Sequence, residues 1–145
     1  MRSTALGVLA ALCIVVQTAR ADDHVAIFKT VTGPMKVLRA DATIDATPGA
    51  ALFISDKVVS GAGASAGIVF KDGTLLTVGA SSEVHLRDYV FEPKEARFAF
   101  SMYLAKGTAI YSSGKIGKLA PESVKVDTPT ATVGVRGTRF IVTAE

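Results

Sequence analysis

Short runs in which apolar and polar residues alternate cover most of the chain, and turns containing glycine or proline separate them. The clearest case surrounds an Asp-Gly pair: Ala66, Ile68 and Phe70 precede it, and Leu76 and Val78 follow it. Alternation with a period of two is typical of half-buried strands, and Asp-Gly between two such runs is a strong hairpin signal. Turn signals recur roughly every 8–12 residues, as in sandwiches, barrels and β-solenoids. The pattern therefore predicts an all-β fold.

The same reading sets the expected ends of several strands. Tyr89, Val90 and Phe91 should extend one strand, and Lys106-Gly107 should turn the chain between two others. Residues 112–118, rich in Ser, Gly and Lys, are expected to be a flexible basic stretch. Because charged side chains protect sheet edges, edge positions are expected for three basic residues, namely Lys29, Lys36 and Arg39.

The last two dozen residues are the densest in β-branched side chains. Val124 and Val126 alternate with polar neighbours, and Thr128-Pro129 then breaks the run, since proline lacks the donor that a sheet ladder needs. The apolar parity changes from odd at Val133 to even at Phe140. A strand changes faces in this way only through a bulge or bend. Residues 134–137 are therefore predicted to be a bend that joins two buried strands.

Arg136 is expected to project from this bend. Its guanidinium has five donors in a rigid fork, which suits a bidentate contact to a partner carboxylate. The alternative is that Arg136 binds carbonyls of the bend or a neighbouring Asp and locks the local structure. The second role is favoured because the backbone acceptors of a buried bend need donors.

Residues 1–21 read as a secretory signal peptide. Arg2 supplies the positive charge, residues 6–16 are apolar, and Ala19 and Ala21 are the small residues before a cleavage site at Asp22. Export to the periplasm or cell exterior is expected, with residues 22–145 as one β domain. Cys13, the only cysteine, lies in this leader, so no disulfide or cysteine metal site is expected afterwards.

The net charge changes once the leader is set aside. The whole chain has 16 basic and 13 acidic residues, and removing Arg2 and Arg20 leaves 14 against 13, a charge of +1. This balance argues against a nucleic-acid partner, which calls for a basic surface. Phe91, Phe98, Phe100 and Tyr103 are accordingly expected to pack in the core and not to stack on bases.

No catalytic or metal-binding constellation can be assembled. His24 and His85 are the only histidines, whereas metal sites and catalytic triads need several convergent groups. The glycine-rich residues 61–67 lack the lysine and helix of a phosphate loop. The sequence therefore predicts neither enzyme activity nor a cofactor.

The terminal block resembles the closing signature of the FecR domain, found in envelope proteins of Gram-negative bacteria. Shorter similar stretches lie at residues 33–37, 55–59, 65–74 and 88–93. The resemblance implies a compact, solenoid-like double sheet. The residues taken as the signature are Thr128, Pro129, Thr132, Gly134, Arg136, Gly137, Thr138 and Phe140.

Regulators of that family relay signals from outer-membrane receptors, through an anti-sigma segment and a membrane helix. Because this chain begins with a cleavable signal, only the periplasmic module is expected here, without a membrane span. Its expected partner is another envelope protein, a receptor or membrane regulator. The alternative is a structural or glycan-binding envelope protein, which exposure of Tyr89, Tyr103 and Tyr111 on one face would favour.

Overall fold

The computed structural model describes residues 23–134 and 138–145. The predicted signal peptide at residues 1–21 lies outside the described residues. Within them, no helix has the length and apolar character that crossing a membrane requires.

The described chain consists mainly of strands, with three short helices. The strands are β1 (Ala26–Thr32), β2 (Met35–Arg39), β3 (Ala42–Asp45), β4 (Ala51–Leu52), β5 (Lys57–Ser60), β6 (Ser65–Phe70), β7 (Leu75–Val78), β8 (Glu83–Glu92), β9 (Arg97–Ser112), β10 (Val124–Asp127), β11 (Thr132–Gly134) and β12 (Arg139–Ala144). The helices are a 3₁₀ turn (Pro93–Glu95), α1 (Lys115–Leu119) and a second 3₁₀ turn (Pro121–Ser123).

All of these strands belong to one sheet, in the order β3-β2-β5-β8-β9-β7-β6-β1-β4. Two strands outside this order also pair with β9: β10 pairs with the first half of β9, and β12 pairs with its second half. β11 pairs with β10. Every pairing is antiparallel except that of β9 with β10. The sheet curls into a half-barrel, which confirms the all-β prediction.

Strand β9 runs without interruption through the predicted turn at Lys106-Gly107, so that prediction was wrong. Gly107 has φ +92° and bends the strand without reversing it. A Cβ there would lie 2.0 Å from the Ser82 Oγ, so only glycine fits beside Ser82. The bend divides β9 into a half that pairs with β8 and a half that pairs with β7. We call the parts of the sheet on either side of this bend the two layers.

The core lies between these layers and is built on aromatic rings. The ring of Phe100, on the first half of β9, contacts Phe70 on β6 at 5.0 Å between centroids. It also contacts Tyr111 on the second half of β9 at 5.3 Å. Phe100 and Tyr111 are almost fully buried, and Phe91 and Phe98 are half-buried against the core. The prediction of core packing is therefore confirmed for the three phenylalanines. It was wrong for Tyr103, whose ring lies against Arg87 and His85 and not in the core.

Two edge residues expected from the sequence lie inside the sheet instead. Lys36 and Arg39 are on β2, which pairs with β3 on one side and β5 on the other. Lys36 forms an ion pair with Asp45 of β3, and Arg39 binds a buried carboxylate. The prediction failed because a charged residue inside a sheet is tolerated when an acidic partner lies beside it. Lys29 lies on β1, where its register against β6 shifts.

The stretch at residues 112–118 is also more ordered than expected, because it contains most of α1. Ile116 is fully buried, and its amide is held by a side chain of the β6–β7 turn. That turn is the hairpin predicted from the Asp-Gly pair, and Gly73 in it has φ +86°. The predicted extension of β8 through Phe91 is likewise confirmed.

Candidate interaction edge at strand β12

Strand β12 is bonded on one side only. It pairs with β9 from Arg139 opposite Ser112 to Ala144 opposite Gly107, and no described strand pairs with its other side. Phe140 and Val142 point inward, and Val142 is 7% exposed. Ile141 points outward and is 66% exposed. The strand thus joins a packed inner face to an apolar outer face beside a free edge.

The backbone groups at the free edge can be assigned to particular residues. The Ser113 N–H donates to the Thr138 carbonyl at 2.7 Å, so Thr138 directs its polar backbone toward β9. In an antiparallel ladder this direction alternates from residue to residue. The even-numbered residues of β12 therefore bond to β9, and Arg139, Ile141 and Thr143 direct their N–H and C=O groups outward.

The other free edges of the described sheet are shorter or carry more charge; β8 beyond its pairing with β5, for example, includes Arg87, Asp88 and Glu92. β3 has four residues, includes Asp45 and follows Asp41, while β4 has two residues and β11 has three. Charged side chains and short length both discourage strand addition. β12 has six residues and no acidic one, so it is the described edge best suited to pair with another chain.

A groove of about 380 Å³ runs between β12 and the hairpin of β10 and β11. Val133 lines one wall, and Phe140 and Val142 line the other. The turn between β10 and β11 is fixed by Thr128, whose Oγ1 accepts from the Ala131 amide at 3.1 Å. The groove therefore offers apolar surface next to the free backbone groups of β12.

Of the described signature residues, Thr128, Gly134 and Phe140 line this groove. Thr128 and Pro129 lie in the β10–β11 turn and Thr132 and Gly134 in β11, while Thr138 precedes β12 and Phe140 is its second residue. Residues 135–137, which include Arg136, Gly137 and most of the predicted bend, lie outside the described residues, so the roles of Arg136 and Gly137 stay predictions.

Phe140 and Val142 point inward, as predicted. The expectation that both strands of this block are buried was wrong, because β11 is mostly exposed. In β11 only Val133 is half-buried, and its neighbours Thr132 and Gly134 are exposed. β11 pairs with β10 alone and stands at the margin of the sheet. The alternation in this block correctly indicates an inner face, but it carries no information on whether a neighbouring strand lies alongside.

The position of β12 depends on its contact with Tyr111 of β9. The Phe140 ring stacks on the Tyr111 ring, with 5.0 Å between centroids and 26° between planes. Tyr111 is 1% exposed, and burial raises the pKa of its hydroxyl. Since a buried ring next to β12 fixes the strand, whatever holds this part of β9 also holds the edge.

The buried carboxylate of Asp72 organises that region. It accepts from the Thr74 amide at 3.2 Å and the Thr74 hydroxyl at 2.7 Å. It also accepts from the Tyr89 hydroxyl at 2.9 Å and from the Ile116 amide at 3.0 Å. Four donors thus converge on a residue that is 2% exposed, and they join the β6–β7 turn, β8 and α1.

Tyr89 closes this cluster. Its hydroxyl oxygen accepts from the Asp72 amide at 2.9 Å while donating to the Asp72 carboxylate. Burial, followed by the charge of Asp72, raises the pKa of the Tyr89 hydroxyl, because ionisation would place a second negative charge beside the first. The phenol therefore stays a donor throughout the neutral range.

A second buried carboxylate, Asp56, anchors the opposite end of the sheet. Arg39 donates to it from Nε at 2.9 Å and from Nη2 at 2.8 Å, and the Phe53 amide donates at 2.8 Å. The guanidinium also lies 4.6 Å from the centre of the Phe53 ring. These hydrogen bonds raise the pKa of Arg39 against the opposing effect of burial.

Replacing Arg39 with alanine is expected to lower the free energy of unfolding by about 3 kcal/mol, because Asp56, 1% exposed, would lose its charged partner. Chemical denaturation measures the loss. Arg87→Ala is the matched control: Arg87 also contacts an Asp and an aromatic ring, Asp127 at 3.3 Å and Tyr103 at 4.3 Å, but at the surface. That change should cost less than about 1 kcal/mol. Equal losses for the two variants would contradict the assigned role of Arg39.

Among the described residues, no group of three His, Cys, Asp or Glu side chains is arranged to bind a metal ion. The His85 Nε2 lies 2.7 Å from Glu83 Oε1, and its ring meets Tyr103 edge-on at 5.4 Å. This arrangement places no nucleophile beside the imidazole. The tyrosine face expected of a glycan-binding protein is not formed, because Tyr111 is buried in the core.

The FecR protein family matches residues 56–145 of the chain. The match covers more than half of the chain and includes every strand from β5 to β12. The chain therefore belongs to the FecR family, a family of regulatory proteins in signalling. The similar stretch at residues 33–37 lies outside the matched range. No curated protein and no solved structure matched the chain.

Sequence reasoning did not find Asp72, Asp56 or Arg39 as key residues. Asp72 was read only as half of a turn signal, although an Asp two residues before a Thr also suits a local side-chain to backbone bond. Its bonds to Tyr89 and Ile116 span 17 and 44 residues. No local pattern contains such pairings.

Proposed function

We propose that this protein is an exported, non-enzymatic module of the cell envelope that binds another envelope protein in signalling or assembly. The observation that carries the proposal is the free edge of β12, which is uncharged between Arg139 and Glu145 and presents Ile141 to solvent. Membership of the FecR family supports a signalling role.

The proposed mode of binding is addition of a strand. An extended segment of the partner would pair with the outward backbone groups of Ile141 and Thr143. Apolar side chains of the segment would cover Ile141 on the outer face and enter the groove beside Val133 and Phe140 on the inner face. Main-chain bonds would supply affinity, and the side chains in the groove would supply specificity. The expected partner is a receptor or membrane regulator with such a segment.

Crosslinking capture from an envelope extract, with the full chain as bait, tests the proposal. Ile141→Lys should reduce capture of the main partner at least tenfold, because a charge replaces the exposed apolar side chain and charged edges resist pairing. Ile44→Lys is the matched control, since Ile44 is an exposed isoleucine on the edge strand β3. That variant should capture the partner as the unmodified protein does.

Two results would overturn the proposal. One is a partner that is captured equally well by both variants. The other is a protein that captures no polypeptide but is retained on isolated cell-wall polysaccharide, which would favour the glycan-binding alternative.

A further inference from the structure

The free edge of β12 is complementary to itself. Its outer face carries Arg139, Ile141 and Thr143, and the negatively charged Glu145 follows the strand at the next odd-numbered position. When two copies of such a strand run antiparallel, the positive end of each meets the negative end of the other. We propose that two copies of this protein form a symmetric dimer by pairing their β12 strands edge to edge.

Backbone geometry restricts the register of this pairing. Because the odd-numbered residues of β12 carry the outward N–H and C=O groups, an odd residue must pair with an odd residue of the second copy. Two central registers satisfy this condition, with the two-fold axis at Val142 or at Ile141. Only the axis at Val142 brings Arg139 opposite Glu145 of the second copy, and the symmetry forms that ion pair twice.

The side chains suit the same register on both faces. On the inner face, Phe140 would lie opposite Ala144 of the second copy, and Val142 opposite its own counterpart, so a large residue meets a small one at each outer position. On the outer face, Ile141 would lie beside Thr143 of the second copy. The pairing would thus cover the most exposed large apolar side chain among the described residues.

This dimer uses the same edge as the proposed partner but does not depend on it. Pairing through β12 would extend the layer that contains β12 and β7 from one copy into the other. A partner strand would then compete with the second copy for the same backbone groups. Self-association would keep the exposed apolar stretch around Ile141 covered until a partner displaces it.

Sedimentation equilibrium of the full chain tests the dimer by charge reversal. Arg139→Glu alone, or Glu145→Arg alone, should weaken association roughly tenfold, because two attractive cross-strand pairs become repulsive. The double variant restores both pairs with exchanged signs, so it should return association to within about twofold of the original value. Both residues are exposed, and unchanged circular dichroism would show that the variants fold.

A cysteine at the two-fold axis tests the register. Val142 would form a non-hydrogen-bonded pair with its counterpart, in which Cα atoms lie about 4.5 Å apart, within the range of a disulfide. With Cys13 replaced by serine, Val142→Cys should give a disulfide-linked dimer under oxidised glutathione. Thr143→Cys, the control, should give little, since its neighbour in the second copy would be Ile141.

A chain that sediments as a monomer at all accessible concentrations would overturn the proposal. A dimer that ignores both single charge reversals, or that crosslinks through Thr143→Cys in preference to Val142→Cys, would also overturn it. The two proposals can fail separately. If the protein is a monomer and Ile141→Lys abolishes capture of the partner, the partner-binding proposal stands and the dimer proposal fails. If the protein is a dimer with the expected charge dependence but captures no envelope protein, the dimer proposal stands and the partner-binding proposal fails.

Discussion

Replacement of Asp72 by alanine is expected to remove about 3–5 kcal/mol from the free energy of unfolding, a large part of what a domain of this size possesses. The carboxylate is 2% exposed and accepts four hydrogen bonds. Without it, the amides of Thr74 and Ile116 would be left in the interior without their acceptor. Each such buried donor costs about 1–3 kcal/mol.

Urea denaturation followed by circular dichroism measures this effect. Asp72→Asn is the informative second variant, because the amide keeps the shape and one acceptor oxygen but loses the charge. Charge-assisted hydrogen bonds are about twice as strong as neutral ones, so this variant should lose roughly half as much stability. Asp45→Ala, at an exposed position on β3, should cost less than about 1 kcal/mol. If Asp72→Ala unfolded at the same urea concentration as Asp45→Ala, the central role of Asp72 would be refuted.

Gly107→Ala is expected to destabilise the protein by a similar amount, about 3–5 kcal/mol, through two separate causes. The first is the positive φ of +92°, which a residue with a side chain adopts only under strain. The second is collision, since the new Cβ would lie 2.0 Å from the Ser82 Oγ and 2.5 Å from the Ser82 Cα. Moving Ser82 would disturb its bonds, because its Oγ accepts from the Thr108 amide at 2.9 Å and its amide donates to the Ser60 Oγ at 2.8 Å.

A second glycine separates these causes. Gly49 has φ +87°, close to that of Gly107, but a Cβ there would have no neighbour within 4 Å. Gly49→Ala should therefore report strain alone, about 1–2 kcal/mol, and the excess in Gly107→Ala should report the collision. Thermal melting of both variants provides the comparison. Equal losses would mean that Ser82 moves aside at little cost, and that the bend of β9 tolerates a side chain.

The sequence predicted strands well because each strand has one buried face. The alternation of Ala66, Ile68 and Phe70, and the Asp-Gly pair after them, led to β6 and to its hairpin with β7. Local pattern failed at Lys106-Gly107, where the same residue types that reverse a chain bend a continuous strand instead. The difference lies in pairing between distant segments: β8 pairs with β9 before the glycine and β7 pairs with it afterwards, so the strand continues.

The candidate interaction edge at β12 could be predicted only in part from the sequence. The density of β-branched residues drew attention to the terminal block, and the inward positions of Phe140 and Val142 followed from parity. That β12 has no neighbour on one side depends on the order of strands across the sheet, which results from pairings between distant segments. Asp72 was missed for the same reason, since its bonds join parts of the chain up to 44 residues apart.

Strand β9 belongs to both layers of the sheet, and this has a consequence for how the domain opens. β8 and β10 pair with the first half of β9, and β7 and β12 pair with its second half. Neither layer can therefore separate from β9 without exposing the edge of the other layer. The amide protons of both layers should therefore exchange with solvent in a single cooperative event. Occupation of β12 would then slow exchange in β5 and β8, on the far side of the molecule, without any change in their conformation.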